Sequence, residues 1–289
     1  MTISDLSSQP PEPLTSGGIR VRLAETPLEV QAAQRLRYKV FYEEFGARPN
    51  EAMAREGRDF DDYDPLTDHI VVIDESLGPE NNIVGTYRLL RDSRLPKDRL
   101  FYTSQEFDIS SLLKSGGKLL ELGRSCVLPE YRTRPVLQLL WKRIITYVND
   151  HNIDILFGCA SLHGTNVDDV AEQLSYLYHF HRAPDQLCPN VLPHLGVDMN
   201  IISKEELEPR ARRIFSDLPP LIKGYLRIGC NIGNGAFVDH QFNSIDVCII
   251  GSTANFTERY AKHYDRVLNK TAATPPDCIN NLQGAISVT

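Results

Sequence analysis

The sequence predicts an α/β protein with a mixed central sheet flanked by helices. Three observations predict it. Apolar runs of strand length alternate with segments of helical period. Several of those runs follow one another before the next helix, which gives a mixed sheet and not a purely parallel one. No linker and no internal repeat interrupts residues 18–270, so one domain is expected there. The stretches 1–17 and 271–289 carry the Pro, Ser, Thr, Gly and Asn bias of disordered termini.

A strand at 19–23 leads through Thr26 and Pro27 into a helix that places Leu28, Ala32, Leu36, Val40, Phe41 and Phe45 near one face. Strands follow at 69–74 and 83–90. A polar, irregular stretch at 91–118 precedes a strand at 119–127. A helix from 135 to about 151 carries Leu139, Leu140, Ile144, Tyr147 and Val148. Next come a strand at 153–160 and a helix at about 167–180. A helical insert at about 200–230 breaks at Pro219 and Pro220. Strands at 237–241 and 245–250 close the domain, and a last helix lies near 256–268.

With 289 residues, 42% hydrophobic, the chain can bury a sizeable core. Its net charge of -7 argues against a general nucleic-acid binder. The longest apolar runs, such as 70–73 and 247–250, fall far short of the roughly 20 residues that span a bilayer. The N-terminus lacks the basic-then-apolar order of a secretory signal. The expected location is therefore the cytoplasm, with the six cysteines reduced. They form no C-x-x-C pair and read as buried thiols. His179, His181, Cys188 and His194 have no standard zinc spacing, so no metal is expected.

Residues Glu121 to Arg132 (E-L-G-R-S-C-V-L-P-E-Y-R) resemble the strand and donor turn of the GNAT N-acyltransferase fold. The turn in that fold reads Q/R-x-x-G-x-G/A, and its backbone N–H groups at a helix N-terminus hold the pyrophosphate of coenzyme A. The corresponding residues here are Arg132, Thr133, Arg134, Pro135, Val136 and Leu137. Pro135 has no N–H to offer, and Leu137 obstructs close backbone approach. Arg132 and Arg134 suit a single phosphate, such as that of a 4'-phosphopantetheine arm, or an acidic protein surface. The alternative is that Pro135 is simply a good first-turn residue.

The resemblance extends over most of residues 20–250. It includes Arg37 to Phe41, Asp59 to Asp62 with Asp64, Asp68 and His69, and Val84 to Leu90 around Arg88. It continues through Glu121 with Arg124, Leu137 to Trp141, Phe157 to Ser161 with Gly164 and Thr165, Leu218 to Arg227, and Val238 with Asp239. These runs resemble the hemolysin-like GNAT acyltransferases, which include enzymes of ornithine-lipid biosynthesis, and the related autoinducer (acyl-homoserine-lactone) synthases. The first match is the closer. It implies transfer of a 3-hydroxyacyl group from acyl carrier protein to the α-amine of ornithine, giving lyso-ornithine lipid. No permanently bound cofactor is implied. The alternatives are an autoinducer synthase or another amino-acid N-acyltransferase, and a non-catalytic acyl-carrier or membrane-binding module.

Amide formation from a thioester needs a neutral amine, so a base must take a proton. Glu121, flanked by Leu119, Leu120 and Leu122, is the candidate, since burial would raise its pKa. Pairing with Arg124 or Arg88 is the structural alternative, with the opposite effect. The resemblance implies a backbone N–H from Ser125, Cys126 or Val127 as oxyanion donor, and Tyr178 or Tyr176 to protonate the departing thiolate. Arg88 or Arg124 suits an acceptor carboxylate, Arg37 belongs to the same pattern, and Asp59, Asp61 and Asp62 suit a cationic side chain. Val127, Arg132 and Arg134 form the donor side. Arg124, Arg132, Arg134, Lys142 and Arg143 make a basic patch fit to steer an acidic carrier protein. The segment 209–228 mixes bases with large apolar residues and is a candidate for peripheral contact with the inner membrane.

Two rival chemistries fail. Ser161 lacks the glycine at 159 that G-x-S-x-G demands, and Gly229, Gly233 and Gly235 do not make G-x-G-x-x-G.

Overall fold

The structure is a computed structural model that describes residues 13–254 apart from 80 and 195. The helix expected near 256–268 and the tail at 271–289 lie outside the described residues. Order begins earlier than composition suggests, because β1 (Leu14–Ser16) pairs with β2 (Ile19–Leu23).

Helix α1 (Pro27–Tyr38) starts where Thr26 caps the N–H of Glu29 and Pro27 presets the first turn. It does not run to Phe45 as one α-helix. At Lys39 it widens into a π-helix, Lys39–Glu44, a rare geometry that is common at functional sites. Helix α2 (Glu51–Glu56) was not expected. Its signals are the Asn50 cap and the left-handed Gly57 that ends it.

Strands β3 (Asp68–Asp74) and β4 (Ile83–Arg91) fall close to expectation. The stretch read as irregular contains β5 (Phe107–Asp108) and α3 (Ser110–Leu113). Strand β6 (Leu119–Val127) has the expected bounds, and α4 (Arg134–His151) begins one residue early. Strand β7 is Ile155–His163. The following helix opens as a 3-10 turn at Val167–Val170 before α5 (Ala171–His181).

Two short strands, β8 (Asn190–Val191) and β9 (Gly196–Val197), precede α6 (Lys204–Leu207), α7 (Ala211–Asp217) and α8 (Pro220–Ile228). Strand β10 (Asn231–Asp239) starts six residues before its expected position, because its glycines hide the pattern; β11 is Ser244–Ser252.

The chain divides into two compact units. In the first, which takes residues up to 44, 49–89 and 123–151, β1 to β4 form an antiparallel meander with the end of β6 beside β4. Its core gathers Ala33, Leu36 and Val40 with Val71, Ile73, Ile83 and Cys126. In the second, which takes 45–48, 90–122 and 152 onward, β6 and β7 pair in parallel over Leu119–Glu121. The neighbours of β7, β11 and then β10, are antiparallel, so the sheet is mixed as expected. Gly158 permits the close approach of β6, since a Cβ there would stand 2.1 Å from the carbonyl oxygen of Leu122.

Helices α7 and α8 turn Ile214, Ile222, Tyr225 and Leu226 into the core. Phe215, Leu221 and Ile228 of the same segment are half-buried.

Candidate active site

In the first unit, sequence-distant charges converge on the turn after α2. Arg37, with 0% exposure, donates from Nε to Asp59 Oδ2 at 2.6 Å and from Nη2 to the Asp59 carbonyl at 2.6 Å. Its Nη1 and Nη2 donate to the two carboxylate oxygens of Asp64 at 2.8 and 2.9 Å. Arg88, on β4, donates to Asp61 at 2.6 Å and to Asp64 at 3.1 Å. Arg124, on β6, lies 3.3 Å from both Asp59 and Asp61. Gln34 and Tyr42 add hydrogen bonds to Asp64 and Asp59.

Burial would raise the carboxyl of Asp59, yet the charges of Arg124 and Arg37 hold it below the usual carboxylate range. Burial opposes ionisation of Asp64 too, and the Arg37 hydrogen bonds and charge overrule it by a wide margin. His69, beside Asp64, is pushed below the ordinary histidine value mainly by burial. Arg124 reaches the network from a left-handed backbone (φ 49), a conformation uncommon for a non-glycine residue.

The network changes the reading of the expected substrate-binding residues. Arg37, Asp59, Arg88 and Arg124 do come together, but each is matched to another member. Asp62 is exposed, while Asp61 and Asp64 supply the carboxylates. Asp64, Gln34 and Tyr42 were missed as network members; the polar residues on the α1 face were the available signal.

On the donor side, Arg132 follows β6 and directs its Nε to the Val127 carbonyl at 2.9 Å. Both terminal nitrogens meet the carboxylate of Glu44 at 2.6 Å. Glu44 was not foreseen, being one of several acids after α1. The side chain of Arg134 lies outside what is described. Cys126 packs in the core, where burial pushes its thiol up to about 12. It can contribute a backbone N–H, not a nucleophile. The expected basic patch is also corrected: Arg124 is held by aspartates, Arg132 by Glu44, and Arg143 is only 2% exposed.

In the second unit, the buried Glu121 carboxylate accepts from two consecutive backbone N–H groups, Tyr102 at 3.1 Å and Thr103 at 2.6 Å. These belong to the 3-10 turn Tyr102–Gln105, which the carboxylate caps. Thr103 also links Glu121 to a further acidic group. Its hydroxyl lies 3.8 Å from Cys159 Sγ, which donates to Glu106 at 3.2 Å. Glu106, Asp239 and Asp246 bring ligand oxygens within 4.8 Å of one another. Burial pushes the Cys159 thiol well up, with Glu106 and Asp246 adding to the effect.

Glu106 and Asp246 were missed. The signal for Asp246 was a lone charge within the apolar run 245–250. On α5, Tyr176 is buried and its hydroxyl meets His181 Nε2 at 3.2 Å. Tyr178 is half-buried, with the Arg182 guanidinium over its ring. His179 is engaged by the Ile202 carbonyl.

The family described as Acetyltransferase (GNAT) domain matches residues 36–142. An L-ornithine N(alpha)-acyltransferase of Brucella abortus (strain 2308) is 43% identical over 258 residues, 88% of this chain and 91% of that protein. That of Agrobacterium fabrum (strain C58 / ATCC 33970) is 43% identical over 253 residues, 86% and 85% of the respective chains. Among solved structures, an N-acyl amino acid synthase from uncultured soil microbes is 12% identical, with a TM-score of 0.42, covering 86% of this chain and 96% of that one. That likeness is too loose to bear on function.

Proposed function

The chain belongs to the L-ornithine N(alpha)-acyltransferase family, and from that premise we propose that it joins an acyl group to the α-amine of ornithine. The chain is an acyltransferase of the GNAT fold. The donor we assign is a 3-hydroxyacyl thioester on the 4'-phosphopantetheine arm of acyl carrier protein, and the product is a lyso-ornithine lipid.

The observation that supports the acceptor is the buried trio Glu106, Asp239 and Asp246, joined to Glu121 through Thr103 and Cys159. Ornithine differs from a simple amino acid by a second ammonium group on a three-carbon stem. Buried carboxylates at close quarters are costly unless a cation or protons offset them. In this reading the trio receives the side-chain ammonium, taking the role first given to Asp59, Asp61 and Asp62; the charges of Asp59 and Asp61 already face arginines.

Glu121 takes the proton from the α-ammonium, which is mostly protonated at neutral pH. The freed nitrogen attacks the thioester carbonyl. Backbone N–H groups among Ser125, Cys126 and Val127 are the assigned oxyanion donors, worth about 3–4 kcal/mol for a well-placed one. That attack forms the C–N bond; collapse restores the C=O and breaks the C–S bond, the departing thiolate takes a proton from Tyr178, and the surplus proton on the nitrogen returns to the Tyr178 phenolate. On the donor side, Arg132 and Arg134 are assigned to the single phosphate of the arm, and the prolyl nitrogen of Pro135 argues against cradling a pyrophosphate. Among the described residues no helix is long and apolar enough to cross a membrane. Peripheral contact at the cytoplasmic face of the inner membrane is the location we assign.

The test is mass spectrometry of lipids from a host lacking ornithine lipids. A new 3-hydroxyacyl-ornithine with the wild type is the expected result. No acylated amino acid from soluble protein would overturn the reading, and acylation of a different amine would reassign it to another amino-acid acyltransferase.

A further inference from the structure

We propose that Glu44 is a built-in competitor for the donor's phosphate, holding the Arg132 fork until an arriving phosphate displaces it. The inference rests on the assignment of Arg132 to the donor and adds a residue that tunes donor affinity. The carboxylate of Glu44 meets both terminal nitrogens of Arg132 at 2.6 Å. Two oxygens in that arrangement occupy the positions that two phosphate oxygens would take on the same planar fork.

The third donor of the guanidinium, Nε, is fixed independently by the Val127 carbonyl at 2.9 Å. Arg132 therefore keeps its orientation when Glu44 withdraws. The two side chains are 36% and 30% exposed, and ion pairs in water at that level exchange readily. The phosphate of the carrier-bound arm is a phosphodiester with one negative charge, as Glu44 has, so the two anions compete for the same cation on even terms.

Two further features place Glu44 at a point of entry. It ends the π-helix Lys39–Glu44, and it lines a depression of about 210 Å³ together with Lys39, Glu43, Leu128 and Pro129. Lys39 brings a cation to that depression, and Leu128 and Pro129 offer apolar surface leading from the end of β6.

Steady-state kinetics with varied acyl carrier protein at saturating ornithine test the proposal in the wild type, Glu44→Gln, Arg132→Gln and the double variant. Glu44→Gln is expected to lower the KM for the carrier protein about 2- to 5-fold, with kcat unchanged. Arg132→Gln raises that KM, and adding Glu44→Gln to it produces no further change. A Glu44→Gln KM that stays level or rises while Arg132→Gln raises it would overturn the competitor and leave the donor assignment standing. A level KM in Arg132→Gln would overturn both.

Discussion

Arg37 grips both the backbone and the side chain of Asp59, its Nη2 donating to the carbonyl and its Nε to the carboxylate, each at 2.6 Å. Since Asp64 is held by the same guanidinium, one side chain fixes the shape of the turn 59–64. Removing a partner from a buried network leaves charges without compensation, a cost of about 3–5 kcal/mol. Arg37→Ala is expected to lose that much in urea unfolding. Arg37→Lys recovers only part, because an ammonium cannot reproduce the planar fork.

Stability falls on acidification in two stages. His69 has its folded pKa depressed from 6.5, so the unfolded chain binds the proton first. Its contribution is complete above about pH 6.5 and is lost as pH falls through the lower folded value. Asp59 and Asp64 are depressed from 3.8, so theirs persists to about pH 4 and drains away below it. His69→Gln should flatten the unfolding free energy between about pH 5 and 7 and leave the lower stage intact. An unchanged upper stage would transfer it to His181, which burial also depresses.

Glu121 has two separable roles. As the cap of Tyr102 and Thr103 it stabilises a turn, and as a base it accepts a proton. Glu121→Gln turns an amide N–H₂ toward one of those N–H donors, at a cost of about 1–3 kcal/mol. If it is the base, kcat falls about 10²- to 10⁴-fold even well below the melting temperature. A kcat near wild type in the folded variant would leave only the cap.

Acceptor choice is checked at Asp246. Asp246→Asn is expected to raise the KM for ornithine about 10- to 100-fold, the worth of one charge-assisted hydrogen bond. The rate with 2-aminopentanoic acid, which has no second amine, should hardly move. Equal losses with both acceptors would mean that Asp246 supports the fold and does not read the side chain.

The alternation of strands and helices was legible because burial writes itself into period 2 and period 3.6. Thus β6 has the bounds its apolar residues suggest, and α4 is off by one residue. Strand β10 was legible only in its second half, since glycines carry no pattern. The widening of α1 at Lys39 left no trace, because a π-turn costs no change in residue type. In the site, residues such as Arg37 and Asp59 were found by motif, but their partnership was not. A sequence shows which charges exist, while opposition across distant elements, as between Arg132 and Glu44, is set by tertiary packing.

The late place of Arg124 in the chain has a consequence for biosynthesis. The turn 59–64 is closed by α1, by β4 and finally by Arg124, so the last cation to reach Asp59 and Asp61 is also the last to be translated. A nascent chain that has not yet exposed residue 124 beyond the ribosome exit carries these aspartates short of one countercharge. Fragments ending before Gly123 should therefore be poor solitary folders, and the first unit is finished only after the second unit's segment 90–122 has been made.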